Sequence, residues 1–209
     1  MAITLTASGC SLKKSASTAQ NSPTTAAASA NDFINQDNAT VQAKTLADLA
    51  KAKAAASAWK SDAAFTAYNF KVPQDFSLAN LEQTFVFGSQ EEADYWWTYT
   101  LDSQNKVVRA IVYKDDYLGK NLQPINEQFW KISYPQALQI AETSGGLAFR
   151  SENPEAMVAL TLEQTQPKDW LWYIIVYQAS KNSKTIRISA LDGKIYDDNG
   201  NLVTTSATQ

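Results

Sequence analysis

The side chains that could carry out chemistry are few and poorly grouped. The chain has no histidine and a single cysteine, Cys10, which excludes Ser–His and Cys–His nucleophile pairs and removes the commonest zinc ligand. The carboxylates of Glu91–Glu92 and Asp115–Asp116 are adjacent in sequence. Because adjacent residues on a strand point to opposite faces, neither pair forms an acid and base couple. We therefore predict no catalytic residue and do not expect the protein to be an enzyme.

The acidic segment Asp197–Asn201, DDNGN, is the stretch that most resembles a metal-binding loop. A calcium loop alternates oxygen ligands and closes with an acidic residue at its twelfth position, whereas Leu-Val-Thr-Thr follows this segment and no later acid exists. A hairpin turn at Asn199 and Gly200 explains the segment better. The chain also lacks a glycine-rich phosphate loop, since Gly145–Gly146 is a lone pair after a helix. We expect no metal and no cofactor.

Cys10 is preceded by small residues, in the stretch Ala7-Ser8-Gly9-Cys10. Small residues before the cysteine admit signal peptidase, and the stretch resembles the lipobox of bacterial lipoproteins, whose cysteine is diacylated on sulfur. Ala7 stands where that family usually has Leu, and residues 1–6 are short and uncharged for a signal peptide. The resemblance implies that residues 1–10 are a truncated signal remnant. It also implies that lipid on Cys10 anchors the protein to a membrane in the extracytoplasmic bacterial cell envelope.

Residues 11–40 consist mostly of Ser, Thr, Ala, Asn and Gln. They have too few large apolar residues to offset the chain entropy lost on folding, so they are predicted to be a disordered tether. No segment of the chain reaches the eighteen apolar residues of a membrane span. The net charge is −3 without a long basic run, which gives no electrostatic footprint for nucleic acid.

The remaining chain reads as α+β, in two tandem modules that each place a helix before an antiparallel sheet. In residues 41–120, Thr45 is predicted to cap a helix that ends at Trp59. Four aromatic or β-branched segments follow it: AAFTAYNFKV, ANLEQTFVFG, ADYWWTYTLD and NKVVRAIVYK. In residues 121–209, YPQALQIAETSGG predicts a helix that stops at Gly145–Gly146. Strands EAMVALTLEQ, DWLWYIIVYQ and KTIRISAL follow, and then the Asn199–Gly200 turn flanked by GKIYDD and NLVTT.

The two halves can be aligned on their aromatic segments. Tyr95–Trp97 matches Trp170–Trp172, and each is followed by a polar turn and a strand with one arginine, at Arg109 or Arg187. This self-similarity suggests a duplicated unit.

The segments ALQIA, WLWYIIVY and IRISALDGKIY, within residues 134–198, resemble PepSY, the small extracytoplasmic domain of peptidase propeptides and cell-envelope regulators. The turn residues Asp192 and Gly193 match the family, whereas Ser189 stands where the family usually has Asp, so no role of that Asp carries over. Residues 45–119 resemble PepSY only through the helix order and the hairpin at Trp97.

The aromatic strand of the second half supplies the candidate contact residues. Alternation along that strand places Trp170, Trp172 and Ile174 on one face, and Leu171, Tyr173 and Ile175 on the other. Aromatic residues serve cores and interfaces alike, so one interpretation places Trp170 and Trp172 in the core beneath the helix, and the other exposes an aromatic face to a partner. The candidates for protein contact are the exposed members of the set Trp170, Trp172, Tyr173 and Tyr177.

Two classes of function follow from these observations. The favoured one is a lipid-anchored extracytoplasmic binding or regulatory protein, for which the PepSY resemblance implies a peptidase or a cell-envelope protein as partner. The alternative is a carboxylate-based cell-wall glycan hydrolase, which needs two carboxyl groups facing each other across a cleft. A structural spacer of the envelope with no specific ligand is a third option.

Overall fold

The computed structural model of the protein describes residues 37–73, 81–102, 104–118, 121–165 and 170–203. Cys10, the predicted signal remnant at residues 1–10 and most of the predicted tether lie outside the described residues. The helices are α1 (Asn38–Trp59), α2 (Tyr134–Ala141) and α3 (Leu147–Glu152). The strands are β1 (Ala64–Val72), β2 (Gln83–Gly88), β3 (Tyr95–Leu101), β4 (Val107–Tyr113), β5 (Met157–Thr165), β6 (Trp170–Gln178), β7 (Ser183–Ser189) and β8 (Ile195–Tyr196). The predicted α+β class is confirmed.

Helix α1 begins earlier than the sequence predicted. Asp37 is its N-cap, because Asp37 Oδ1 accepts hydrogen bonds from the N–H groups of Ala39 (3.2 Å) and Thr40 (3.3 Å). The predicted cap, Thr45, instead lies inside the helix, where its hydroxyl donates to the Val41 carbonyl at 2.9 Å. The C-terminal residues 38–40 of the predicted tether are therefore helical, and the helix ends at Trp59 as expected.

The eight described strands form one antiparallel sheet in the order β4-β3-β2-β1-β5-β6-β7-β8. Strands β1 and β5 join the halves at the centre of this sheet, where Tyr68 lies opposite Leu162 and Phe70 opposite Leu160. These four side chains belong to a single hydrophobic core that includes residues of both halves. The two halves therefore share a sheet and a core and are not independent modules.

Each half consists of a helical segment followed by a four-stranded meander that runs outward from the β1–β5 pair. The predicted alignment of the two halves was nevertheless wrong, because its matched aromatic segments lie in strands at different positions. Tyr95–Trp97 lies in β3, the third strand from the centre on its side, whereas Trp170–Trp172 lies in β6, the second strand on the other side. Trp97 belongs to the main core, but Trp172 does not. The aromatic segments thus occupy different places in the two halves.

The two faces of the sheet are covered differently. The helices cover one face, which carries most of the large buried side chains. On the other face a small cluster of Ala67, Val86 and Trp96 packs under Leu118 and Leu122, which belong to the connection after β4. The ammonium of Lys114, in the same connection, lies 4.1 Å from the centre of the Trp96 ring, a cation–π contact.

The second helical segment contains a sharp irregularity. Ser133 forms a capping box with Gln136 at the start of α2. A π-helical turn, Glu142–Gly146, then joins α2 to α3, and Gly145 takes φ +103°, a conformation that glycine adopts without a Cβ clash. A Cβ at Gly146 would lie 2.2 Å from the hydroxyl of Tyr177. The predicted helix stop at these glycines is thus a kink, and the chain continues into α3.

Candidate functional site

A cavity of about 180 Å³ opens beside the start of β6 and the end of β7. We call it the aromatic pocket, and its lining residues are Phe129, Trp170, Leu171, Ser189, Leu191, Asp192 and Tyr196. Three of the apolar side chains around it are well exposed: Leu191 by 50%, Trp170 by 42% and Phe129 by 40%. Large apolar side chains gathered around a concavity are typical of a binding surface.

The Trp170 ring packs against two other aromatic rings, the buried Trp172 and the half-buried Tyr196. Its centre lies 5.6 Å from the ring of Trp172 and 5.5 Å from that of Tyr196. Trp172 is fully buried, and its Nε1 donates to the Thr165 carbonyl at 3.2 Å. Since Thr165 is also the β5 partner of Trp170, Trp172 is fixed to the same part of the sheet. The exposed tryptophan therefore rests on a rigid support.

The turn after β7 brings Leu191 and Asp192 to the pocket. Ser189 Oγ accepts hydrogen bonds from the N–H groups of Leu191 (3.3 Å) and Asp192 (3.4 Å). Gly193 takes φ +73° and its N–H donates to the Ser189 carbonyl at 2.9 Å, so the position favours glycine. Ser189 thus serves as the acceptor that shapes the turn.

Asp192 provides a negative charge at the pocket. Its partial burial acts to raise the carboxyl pKa, but hydrogen bonds from the Lys194 side chain, Ser189 and the Lys194 backbone outweigh burial and lower the pKa. Lys194 Nζ lies 2.9 Å from Asp192 Oδ2. The hydrogen bond and charge of Asp192 in turn raise the pKa of the Lys194 ammonium. Asp192 is therefore ionised at neutral pH and suits an electrostatic role.

Three of the four predicted contact residues are fully buried and cannot form a contact surface: Trp172, Tyr173 and Tyr177. The Tyr173 hydroxyl accepts from Trp130 Nε1 at 2.6 Å and donates to the Ile132 carbonyl at 2.8 Å. The Tyr177 hydroxyl donates to Glu142 at 2.9 Å. Trp172 lies on the sheet face away from the helices, where Trp170, Tyr196 and Arg187 cover it, so it is not an anchor beneath the helix. Trp170 is the exposed member of the set.

The Asn199–Gly200 segment forms a turn whose polar groups bind one another. Asp197 Oδ1 accepts from the N–H groups of Asn199 (2.9 Å) and Asn201 (2.8 Å), and Gly200 takes φ +76°. Hydrogen bonds from the Asn201 backbone and side chain, together with those from Asn199 and Gly200, lower the Asp197 pKa. Within the described ranges, no three Cys, Asp or Glu side chains are grouped so that they could hold a metal ion.

The candidate residues taken from the sequence did not include five residues of the pocket: Phe129, Leu171, Ser189, Leu191 and Tyr196. Leu191 carried a usable signal, because a large apolar residue directly before Asp192-Gly193 occupies a turn, where polar residues are the rule. Phe129 gave no such signal, since it lies in a 3₁₀-helix, Glu127–Phe129, far from β6 in sequence.

No family model matches the chain, and no curated protein matches it. One solved structure that is similar to it is the crystal structure of a "putative lipoprotein" from Clostridium difficile 630, with 14% identity and a TM-score of 0.45. The match covers 71% of this chain and 90% of the other. Among the described helices, none combines the length and the apolar character needed to cross a membrane.

Proposed function

We propose that this protein is a lipid-anchored extracytoplasmic binding module whose aromatic pocket receives one apolar side chain of a protein partner. The observation that carries the proposal is the cluster of exposed Trp170, Phe129 and Leu191 around a cavity of about 180 Å³. The anchor is supported by the sequence Ala7–Cys10, which lies outside the described residues.

The size of the cavity favours a side chain over a free metabolite. Pockets for small molecules and cofactors have volumes of about 300–1,000 Å³, and this cavity is smaller. Rigidly supported tryptophans next to such cavities are common energetic hot spots of protein interfaces. The charge of Asp192 at the lining suits a partner that presents a hydrogen-bond donor or a cation beside its apolar anchor.

The partner class comes from the sequence resemblance. Residues 134–198, which resemble PepSY, contain α2, β6, β7 and the Gly193 turn, and the pocket lies largely within this range. We therefore propose a peptidase or another cell-envelope protein as the partner, and restraint or localisation of that protein as the role. The lining contains one carboxylate among the described residues, Asp192, and it is paired with Lys194. This arrangement gives no support to a glycan hydrolase that uses two carboxylates.

The test is site-specific photo-crosslinking in cells that express the full-length, lipid-anchored protein. A photo-reactive amino acid at Leu191 should link to a defined partner. The matched control places it at Met157, an apolar residue that is 60% exposed at the start of β5. Trp170→Ala should weaken the capture at position 191 by about 2 kcal/mol of binding free energy, as expected of a hot spot. Equal capture from position 157, or capture that Trp170→Ala leaves unchanged, would contradict the proposal.

Thermal unfolding separates loss of binding from loss of structure. Since Trp170 is 42% exposed, Trp170→Ala should leave the protein folded with a small change in melting temperature. Trp172→Ala serves as the comparison, because its side chain is fully buried and its removal should cost about 3–5 kcal/mol. If both variants unfold alike, Trp170 is a structural residue.

A further inference from the structure

The two outer strands of the sheet differ in length and in exposure. β8 contains two residues, and Tyr196 is bridged to Leu202 on its outer side. β4, at the opposite end of the sheet, contains seven residues, Val107–Tyr113, all of them exposed except the half-buried Val112. Ile111 is 59% exposed and Val108 53%. A long apolar outer strand is a ready template for pairing with another strand.

The backbone of β4 directs hydrogen-bonding groups away from β3. The N–H of Lys114 donates to the Asp94 carbonyl at 2.9 Å, and the Lys106 carbonyl accepts from the N–H of Asp102 at 3.1 Å. Even-numbered residues of β4 therefore direct their N–H and C=O groups toward β3. In an antiparallel ladder the direction alternates with each residue, so Val107, Arg109 and Ile111 direct theirs outward.

We propose that β4 pairs antiparallel with β4 of a second copy of this chain, about a two-fold axis at Ile111. Each Ile111 then lies opposite Ile111 of the other copy, where two outward-facing residues can exchange both backbone hydrogen bonds. On the same face, Arg109 lies opposite Tyr113 of the other copy, a cation and a ring that attract each other. Arg109 already lies over the ring of Tyr99, 5.8 Å from its centre.

The charges of β4 favour pairing with a second copy of this chain, and they favour the register whose axis lies at Ile111. An axis at Arg109 would place two arginines directly opposite each other. The axis at Ile111 instead sets Arg109 against Tyr113 of the other copy, and the strand ends there, because Lys114–Asp116 is a 3₁₀-helix. Like charges directly opposite destabilise a strand pair, whereas opposite charges stabilise it. The strand is therefore self-complementary, as an isologous two-fold interface requires.

The experiment uses the full chain with Cys10→Ser, which removes both acylation and the native thiol. Analytical ultracentrifugation over a range of concentrations should show a monomer–dimer equilibrium. Ile111→Lys places two ammonium groups at the axis and should weaken dimerisation by about tenfold or more. Val108→Glu is the control, since Val108 is an exposed valine of the same strand on the other face and a carboxylate there is not set against a like charge at position 114, so the dimer should persist. Circular dichroism shows whether both variants are folded.

A disulfide tests the register directly. Residues that form a hydrogen-bonded antiparallel pair have Cα atoms about 5.5 Å apart, within the range that a disulfide spans. In the Cys10→Ser chain, Ile111→Cys should therefore form a covalent dimer under mild oxidation, and Val107→Cys should not. A monomer at every concentration, a dimer unaffected by Ile111→Lys, or preferential linkage at position 107 would overturn the proposal. These outcomes are independent of the aromatic pocket, which lies at the other end of the sheet.

Discussion

The helical layer over each half of the sheet contains a buried carboxylate, and the two are neutralised in different ways. Asp48 in α1 is 4% exposed and pairs with Lys44 at 2.6 Å and Lys51 at 2.8 Å, two lysines whose side chains are largely exposed. Glu142 is 1% exposed, and its partner Arg150 is itself buried. Asp48 thus keeps its cations in water, whereas Glu142 and Arg150 are both desolvated. Replacing both charges of a fully buried ion pair such as Glu142–Arg150 costs little stability, whereas removing only one of them costs much.

The largest effect should follow the loss of one member of the buried pair. Arg150→Met leaves the Glu142 carboxylate buried without a cation and should cost about 3–5 kcal/mol of unfolding free energy. In the first half, Lys51→Met leaves Asp48 with Lys44 and should cost much less, because the solvent around the exposed Lys51 screens its interaction with Asp48. Urea unfolding of both variants measures the contrast.

The double variant Glu142→Leu/Arg150→Met sharpens this test. Because it removes both charges together, it should recover most of the stability that Arg150→Met alone loses. Equal losses for Arg150→Met and Lys51→Met would contradict the distinction between the two halves.

Alkaline pH should destabilise both halves through their buried tyrosines. Burial, and the neighbouring Glu142, raise the pKa of Tyr177, and burial raises that of Tyr68. An unfolded tyrosine releases its proton near pH 10, whereas the buried phenol of the folded protein keeps it. The stability that burial of the protonated phenol provides is therefore present below pH 10 and is lost as the pH rises. Each such tyrosine should contribute about 1.4 kcal/mol per pH unit to the loss. Tyr177→Phe and Tyr68→Phe should each reduce the slope of stability against pH by that amount.

At neutral pH the same two variants should differ. The Tyr177 hydroxyl donates to the Glu142 carboxylate at 2.9 Å, whereas the Tyr68 hydroxyl donates to the Gln83 amide oxygen at 2.7 Å. A hydrogen bond to a charged group contributes about 1.5–3 kcal/mol and one between neutral groups about 1 kcal/mol. Urea unfolding at pH 7 should therefore show the larger loss for Tyr177→Phe, and the reverse order would contradict the assignment of Glu142 as the charged acceptor.

The smallest contrast concerns the helix caps. Asp37→Ala removes an exposed cap of α1 and should cause the smaller loss of stability. Ser133→Ala should cost more, about 1–2 kcal/mol, because Ser133 is buried and its hydroxyl also lies 2.9 Å from Asn38 Oδ1 at the start of α1. Thermal unfolding compares the two, and equal losses would show that the contact between the helices adds nothing.

The strands could be predicted from the sequence because each is rich in aromatic or β-branched residues and is bounded by turn residues. Strands β1, β2, β3, β4 and β6 lie within the predicted segments, and β5 and β7 each extend one residue beyond theirs. The pairing of β1 with β5 could not be predicted, since alternation specifies which face is buried but not which strand lies alongside. Both faces of β6 carry large apolar residues, so alternation does not show which face is exposed. Only the structure shows that Trp172 is buried and Trp170 exposed. The pocket depends on the turn at Leu191 lying beside the segment that follows Phe129, where the N–H of Lys131 donates to the Ala190 carbonyl at 2.9 Å. These segments are distant in sequence.

The central pairing of β1 with β5 has a consequence for the kinetics of folding. Tyr68 reaches its sheet partner Leu162 only after the rest of the first half and both α2 and α3 have been synthesised. Contacts so far apart in sequence raise the contact order, and the entropy of closing such a loop is lost before the pairing stabilises the chain. Until β5 arrives, β1 is an apolar strand with one unpaired side. Folding should therefore be slow and should proceed as a single unit. The central sheet should form only after the second half has been synthesised.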